Sequence, residues 1–280
     1  MGNATTRTIT FFDPAKIAIS GQAFRWHIID DTHTELVAFG RYLQIAALGE
    51  DRFALSCTEK EFESVWQRYF HLDFDYPAAV ASIPSSDSYL TKAAEFSYGI
   101  RILRQEPWEA LISYIISQRR SIPSIMTSVE RLCEACGRKI RVPSHMDPPF
   151  VSPSRKAYYS FPSRSEMSAM TLDDITSLGV GYRASYIDNT VKLDPPLDEW
   201  NSLTDDELFA ALTSLKGVGK KVADCVMLFS FGRCSRFPVD VWIGRIQDRY
   251  YGGSFDTSPY PDSAGIMQQF MFFYERCRNL

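Results

Sequence analysis

The chain lacks any apolar run of the roughly 18 residues that a membrane-spanning helix needs, so no membrane partner is expected. Its first twelve residues, MGNATTRTITFF, lack a basic flank, an apolar stretch and a cleavage site, so no secretion signal is expected. Met1-Gly2 with Thr6 fits a myristoylation pattern and Asn3-Ala4-Thr5 a glycosylation acceptor, but both patterns are too short to carry weight. Histidine is scarce: His27, His33, His71 and His145 have no metal-ligand spacing, so catalysis is expected to need no metal. Six cysteines in 280 residues are no disulfide framework and point to a reducing compartment. Cys133 and Cys136 form a lone C-x-x-C without the second pair that a zinc site requires. Glycine and proline, 15 each, are too few for a collagenous or low-complexity chain, and no internal repeat is visible.

What is present is a globular composition, 45% hydrophobic and 14% aromatic, enough for one large or two modest domains. The net charge is only −4, but it is unevenly spread. Residues 98–141 hold eight bases against four acids, and residues 214–250 hold seven against three. A basic face on a mildly acidic protein is compatible with phosphate binding.

The fold class expected is α+β. FRWHII, TELVAF, YLQIAA and RFALSC are short, β-branched or aromatic, and separated by turn residues, which predicts an antiparallel N-terminal sheet. Thr58 to Glu61 reads as a capping box opening a helix. The turn-rich YPAAVASIPSSDS predicts a linker, giving a β-rich domain at 1–88 and a helical domain at 89–280. Within the second part, WEALISYIIS and IMTSVERLCEAC have helical spacing, RVPSHMDPPFVSPSRK reads as a loop, and Thr171–Asp174 and Thr204–Glu207 read as helix starts.

The most informative stretch is Leu215 to Cys225, LKGVGKKVADC. One helix is expected to end at Leu215, two glycines to turn the chain with positive φ, and a second helix to begin at once. The free N–H groups at such a start, with the helix dipole, make an anion site. The backbone of Gly217, Gly219, Lys220 and Val222 is expected to grip one DNA phosphate as a helix-hairpin-helix. The turn alone leaves open an ordinary helix pair joined by Gly-x-Gly. Lys221 shares a helix face with Cys225 at i+4. Asp240, in PVDV, is expected near another helix start, where the dipole favours its charge. An amine and a carboxylate on neighbouring helix starts could serve as a nucleophile and a stabiliser of positive charge.

LKGVGKKVADC with FPVDV resembles the helix-hairpin-helix DNA glycosylases, in particular the 8-oxoguanine DNA glycosylase family. SGQAFRW at 20–26, YFHLD at 69–73, PWEAL at 107–111, VERLC at 129–133, LGVGYRA at 178–184, and Ala264-Gly265 with Gln268 and Phe272 match that family's motifs in order. The resemblance implies a bifunctional glycosylase and lyase acting on double-stranded DNA that contains 8-oxoguanine. It implies that Lys221 attacks C1′ of the lesion sugar and forms a Schiff base, with Asp240 supporting the transition state. It implies that Gly21 reads the N7–H of the lesion through its carbonyl, and that the flipped base lies between Phe272 and Cys225 with Gln268 on its Watson–Crick edge. Tyr182 would act as a wedge, Arg183 as a donor to the opposite base, and Arg119 would enter the vacated space.

Departures from the family pattern are concentrated on the opposite-base contacts. Arg119-Arg120-Ser121 replaces a run of asparagines, Ser124 an arginine, Trp242 a frequent histidine, and Ile266 a tryptophan. A relaxed preference for cytosine is therefore expected. No cofactor is implied. No iron–sulfur cluster is expected, since cluster-bearing relatives have four closely spaced cysteines after the catalytic region and only Cys277 stands there. The resemblance allows a structural cation on the carbonyls of Thr213, Leu215 and Val218. It implies a monomer, in the cytoplasm of a bacterium or the nucleus of a eukaryote. Two other readings stand beside it. One is a monofunctional glycosylase for another base, which Lys221 argues against. The other is a non-catalytic hairpin module, which has no use for Lys221 with Asp240.

Overall fold

The computed structural model describes residues 4–278; Met1 to Asn3, on which both N-terminal modification patterns depend, lie outside the described residues. Five strands form an antiparallel sheet: β1 (Thr5–Thr8), β2 (Trp26–Ile28), β3 (His33–Ala38), β4 (Arg41–Gly49) and β5 (Arg52–Leu55), in the order β1-β5-β4-β3-β2. The sequence pattern anticipates four of them. β1 is short and polar, TTRT, and exists because it pairs with β5 from Thr5↔Leu55 to Thr8↔Arg52.

Strand alternation sorts the two faces. Trp26, Leu36 and Leu43 lie in one cross-strand row and face Trp66 and Phe70 of the helical segment 59–69. His27, Glu35 and Gln44 form the next row on the opposite face. That face would be solvated in an isolated sheet. Here the loop 141–156 covers it. Glu35 is fully buried yet accepts hydrogen bonds from Tyr42, Tyr158 and Ser154, and the Gln44 amide pairs with both the N–H and the carbonyl of Val151. The capping box expected at Thr58 is half made. Thr58 accepts from the Glu61 N–H, but the Glu61 carboxylate instead accepts from the Trp66 indole at 3.2 Å.

The stretch 76–88 is not simply a linker. Asp75 caps a helix, Tyr76–Ala81, with Pro77 in its first turn, where a missing N–H costs nothing. Beyond it, helices Ser88–Phe96, Pro107–Ser117, Ile122–Cys136, Ala184–Leu193, Asp205–Thr213, Lys220–Phe229, Val241–Tyr250 and Ala264–Cys277 build the larger core. Thr171 and Thr204 each make a complete capping box. The two cores exchange residues across position 88. Phe11 and Phe24 pack into the helical core, and Leu103 into the core beneath the sheet.

Arg25 ties the parts together. Its Nε donates to Glu130 at 3.1 Å, and its Nη2 donates to the Tyr159 carbonyl. Both ends of this ion pair are buried or nearly so. Arg25→Met would leave Glu130 with Arg155 alone, 2.9 Å away. Losing one partner of a buried pair costs about 3 kcal/mol at the lower end of its range. Urea unfolding of the variant should show a loss of that order; a loss within experimental error would mean that the pair does not join the two parts.

Candidate active site

The hairpin is built by two short-range constraints. Helix Asp205–Thr213 ends two residues earlier than expected, at a Ser214 cap, because the Val218 N–H turns back to the Leu215 carbonyl at 3.0 Å. Only one of the two glycines has a positive φ. Gly217 stands at +84°, and an added Cβ would lie 2.3 Å from the Tyr186 ring. Gly219 is extended, φ −92°, and is the N-cap of helix Lys220–Phe229. With no side chain on Gly219, nothing stands in front of the N–H groups of Lys220, Lys221 and Val222 at the helix start.

The two adjacent lysines have different surroundings. Lys220 Nζ lies 2.7 Å from Asp224, a buried carboxylate that Arg236 also binds at 2.7 Å. Lys221 makes no ion pair among the described residues. Its Nζ sits 5.4 Å from the centre of the Tyr114 ring and within hydrogen-bonding reach of the Cys225 thiol. Burial pushes that thiol up, despite the opposing pull of Lys221, so Cys225 remains protonated at neutral pH. Asp240 also bears on Cys225 electrostatically, so lysine, thiol and carboxylate share one neighbourhood. Asp240 is the N-cap of helix Val241–Tyr250; its Oδ1 accepts from the Ile243 N–H at 2.9 Å.

Lys221 and Asp240 open into a cleft of about 810 Å³. Gly21, Phe24, Tyr114, Arg119, Trp242 and Phe272 line it as well. Cys225 and Gln268 lie beneath its surface, and the Gln268 Oε1 is buried with no partner among the described residues. Gly21 has φ +81°, and a Cβ there would stand 3.3 Å from the Phe272 ring and 2.7 Å from Ile122. Only glycine lets this turn approach the aromatic wall so closely.

Several positioning residues have no sequence signal of their own. The buried Gln22 amide donates to Ser20 Oγ and the Arg101 carbonyl and accepts from the Leu103 N–H. Its backbone carbonyl accepts from Tyr114 and Gln105, both at 2.8 Å. Gln118 donates to the Gly217 carbonyl at 3.0 Å and so braces the hairpin. The motif SGQ pointed to Gly21; its glutamine is what fixes that turn.

The second Gly-x-Gly turn, Gly179 and Gly181, presents Tyr182 on the surface at 54% exposure. Arg183 is buried, and its terminal nitrogens donate to the Val180 and Gln118 carbonyls. Arg120 donates to Ser124 and, at 3.0 Å, to the Gly179 carbonyl. Arg119, between them, is exposed and held at φ +52°.

A glycine-turned anion site beside a lysine and a carboxylate at an aromatic-walled cleft is the architecture of the helix-hairpin-helix glycosylases. A 3-methyladenine DNA glycosylase from Archaeoglobus fulgidus shares the fold, with TM-score 0.76 over 97% of this chain and 98% of that one, at 16% identity. Residues 6–111 match the N-terminal domain family of 8-oxoguanine DNA glycosylase. A Clostridium acetobutylicum 8-oxoguanine glycosylase/lyase, solved with double-stranded DNA containing cytosine opposite 8-oxoguanine, is 31% identical. It superposes with TM-score 0.88 over 99% of this chain and 97% of that one. An N-glycosylase/DNA lyase of Saccharomyces cerevisiae is 34% identical over 201 residues, 66% of this chain and 50% of the relative. One from Arabidopsis thaliana is 27% identical over 203 residues, 70% of this chain and 53% of the relative. The chain thus spans about half the length of these two relatives. It belongs to the 8-oxoguanine DNA glycosylase family.

Gly217→Ala should weaken binding to any duplex, damaged or not, because both its φ and the Tyr186 ring oppose a Cβ. Gly219→Ala, with no atom within 4 Å of its added Cβ, should leave stability unchanged. Fluorescence anisotropy with an undamaged duplex measures the first effect. Equal affinity of wild type and Gly217→Ala would remove the hairpin from the DNA interface.

Proposed function

We propose that this protein excises 8-oxoguanine from double-stranded DNA and then cleaves the strand at the resulting site. The observation that carries the reading is the environment of Lys221: free of any ion pair among the described residues, facing the cleft, and sharing its surroundings with Asp240, while Lys220 is bound to Asp224.

The chemistry follows from that placement. A base inside a duplex cannot reach the cleft, so the nucleotide must be flipped out. The base then lies against Phe272, with Cys225 on its other face, Gln268 on its Watson–Crick edge and the Gly21 carbonyl accepting its N7–H. Undamaged guanine has no hydrogen at N7 and leaves that carbonyl unpaired, which discriminates against it. The Lys221 amine attacks C1′, the C1′–N9 bond breaks, and the base leaves with a proton. The nitrogen lone pair then opens the sugar: the C1′–O4′ bond breaks, O4′ takes up a proton as the C4′ hydroxyl, and the resulting iminium carries a positive charge that Asp240 stabilises. Removal of a C2′ proton then expels the 3′ phosphate by β-elimination, and water releases the amine.

The reading uses no cofactor and no iron–sulfur cluster, and leaves room for a structural cation on the Thr213, Leu215 and Val218 carbonyls. It supposes a monomer acting in the compartment that holds the DNA, bacterial cytoplasm or eukaryotic nucleus. Among the described residues no helix is long and apolar enough to cross a membrane.

The opposite base is read loosely in this proposal. Arg183 donates from both terminal nitrogens to the protein's own carbonyls, Arg120 donates to Ser124 and the Gly179 carbonyl, and of these arginines Arg119 alone is exposed. Tyr182 serves as the wedge. Incision of duplexes with 8-oxoguanine opposite each of the four bases tests both parts. Wild type should cut all four, with rates spread by about tenfold or less, a cost of about 1.4 kcal/mol at the low end of the roughly 1–3 kcal/mol of one base contact. Lys221→Gln should bind the lesion duplex and cut none. Cutting by Lys221→Gln would refute the mechanism, and cutting only opposite cytosine would refute the relaxed choice.

A further inference from the structure

Arg276 belongs to no motif of the sequence, yet it lines the same cleft as Lys221 and Asp240. It lies one helical turn beyond Phe272, and its Cζ is 5.7 Å from the centre of that ring. Its Nη2 donates to the Ile19 carbonyl at 2.6 Å, two residues before Gly21. Its Nη1 lies 3.0 Å from the position of a Cβ on Gly21. That nitrogen is buried and has no hydrogen-bond partner among the described residues. None of the described carboxylates forms an ion pair with Arg276, and burial lowers its pKa.

A half-buried guanidinium whose Nη1 is sealed from water without a partner is unfavourable until an acceptor arrives. The acceptor must come from whatever enters beside Gly21 and Phe272. We infer that Arg276 is a specificity-determining residue that donates from Nη1 to an exocyclic oxygen of the flipped purine. The inference rests on the glycosylase reading, which brings the base to this end of the cleft. The lesion has oxygens at C6 and C8, on either side of N7–H. An acceptor for N7–H at Gly21 and a donor beside it form a complementary pair for that edge. The position of the buried Nη1 beside an aromatic ring suits a flat neutral base better than a hydrated phosphate.

The test measures binding in a Lys221→Gln background, with and without Arg276→Met, so that no turnover intervenes. Three duplexes are compared: 8-oxoguanine, 2,6-diamino-8-oxopurine, which carries an amino group in place of the C6 oxygen, and 8-aminoguanine, which carries one in place of the C8 oxygen and also lacks the N7–H. Arg276→Met should weaken binding of the 8-oxoguanine duplex by about tenfold to a hundredfold, as expected for one hydrogen bond to a charged donor. The penalty should disappear on one analogue, the one that lacks the contacted oxygen. An equal penalty on all three duplexes would make Arg276 a mere anchor of the Ile19 turn, and no penalty on any would remove it from recognition; either overturns the inference. If the Lys221→Gln parent prefers none of these duplexes to undamaged DNA, the glycosylase reading itself fails. With that preference intact and a flat penalty, only the role of Arg276 fails.

Discussion

Gln22 satisfies five hydrogen-bonding groups drawn from three places in the chain: its buried side chain binds Ser20, Arg101 and Leu103, and its backbone carbonyl accepts from Gln105 and Tyr114. No donor or acceptor of its amide is left over, and such a network fixes geometry strongly in a low-dielectric interior. It holds Gly21 at the cleft mouth from one side. From the other, it fixes the Tyr114 ring that lies beneath Lys221. The Gly21 turn and the Lys221 amine are thus positioned by the same buried residue, although they are 200 residues apart in sequence.

The hairpin and the loops beside it are held by a similar economy of donors. Gln118 braces the hairpin through its side chain, while its carbonyl receives Arg183 from the second glycine turn. Arg120 returns the favour by binding the Gly179 carbonyl of that turn. Arg119 is pinned between these two attachments in a left-handed conformation that carries a modest cost for a non-glycine residue. Guanidinium groups that bind their own backbone preorganise loops; they have fewer donors left for an estranged base. On the proposed reading, this is how altered residues at one loop would change selectivity without changing the reaction.

Features carried by local spacing were legible in the sequence: four of the five strands, the capping box at Thr204, the helix start at Thr171, the Lys220–Phe229 helix with Lys221 and Cys225 on one face, and Asp240 at a helix start. What escaped depends on contacts distant in sequence. β1 has no strand signal apart from β5, and loop 141–156 gives no sign that it will cover Glu35 and Gln44. The two hairpin glycines look equivalent in sequence, yet only Gly217 meets Tyr186. Gln22, Gln118 and Arg276 are single polar residues whose importance appears only once their partners are in place. The family pattern brought out Lys221, Asp240, Phe272 and Gln268; of the residues that hold them it includes Gln22, in SGQ, but gave it no role, and it omits Gln118 and Arg276.

The central claim is that the amine of Lys221, and no other, forms the bond to C1′. Borohydride reduction of the protein on a lesion duplex, followed by proteolysis and mass spectrometry of the DNA-linked peptide, tests it directly. The account predicts a sugar-derived adduct on the Lys221 side chain and none on the adjacent Lys220. An adduct on Lys220, or incision of the lesion strand without any trapped peptide, would contradict it.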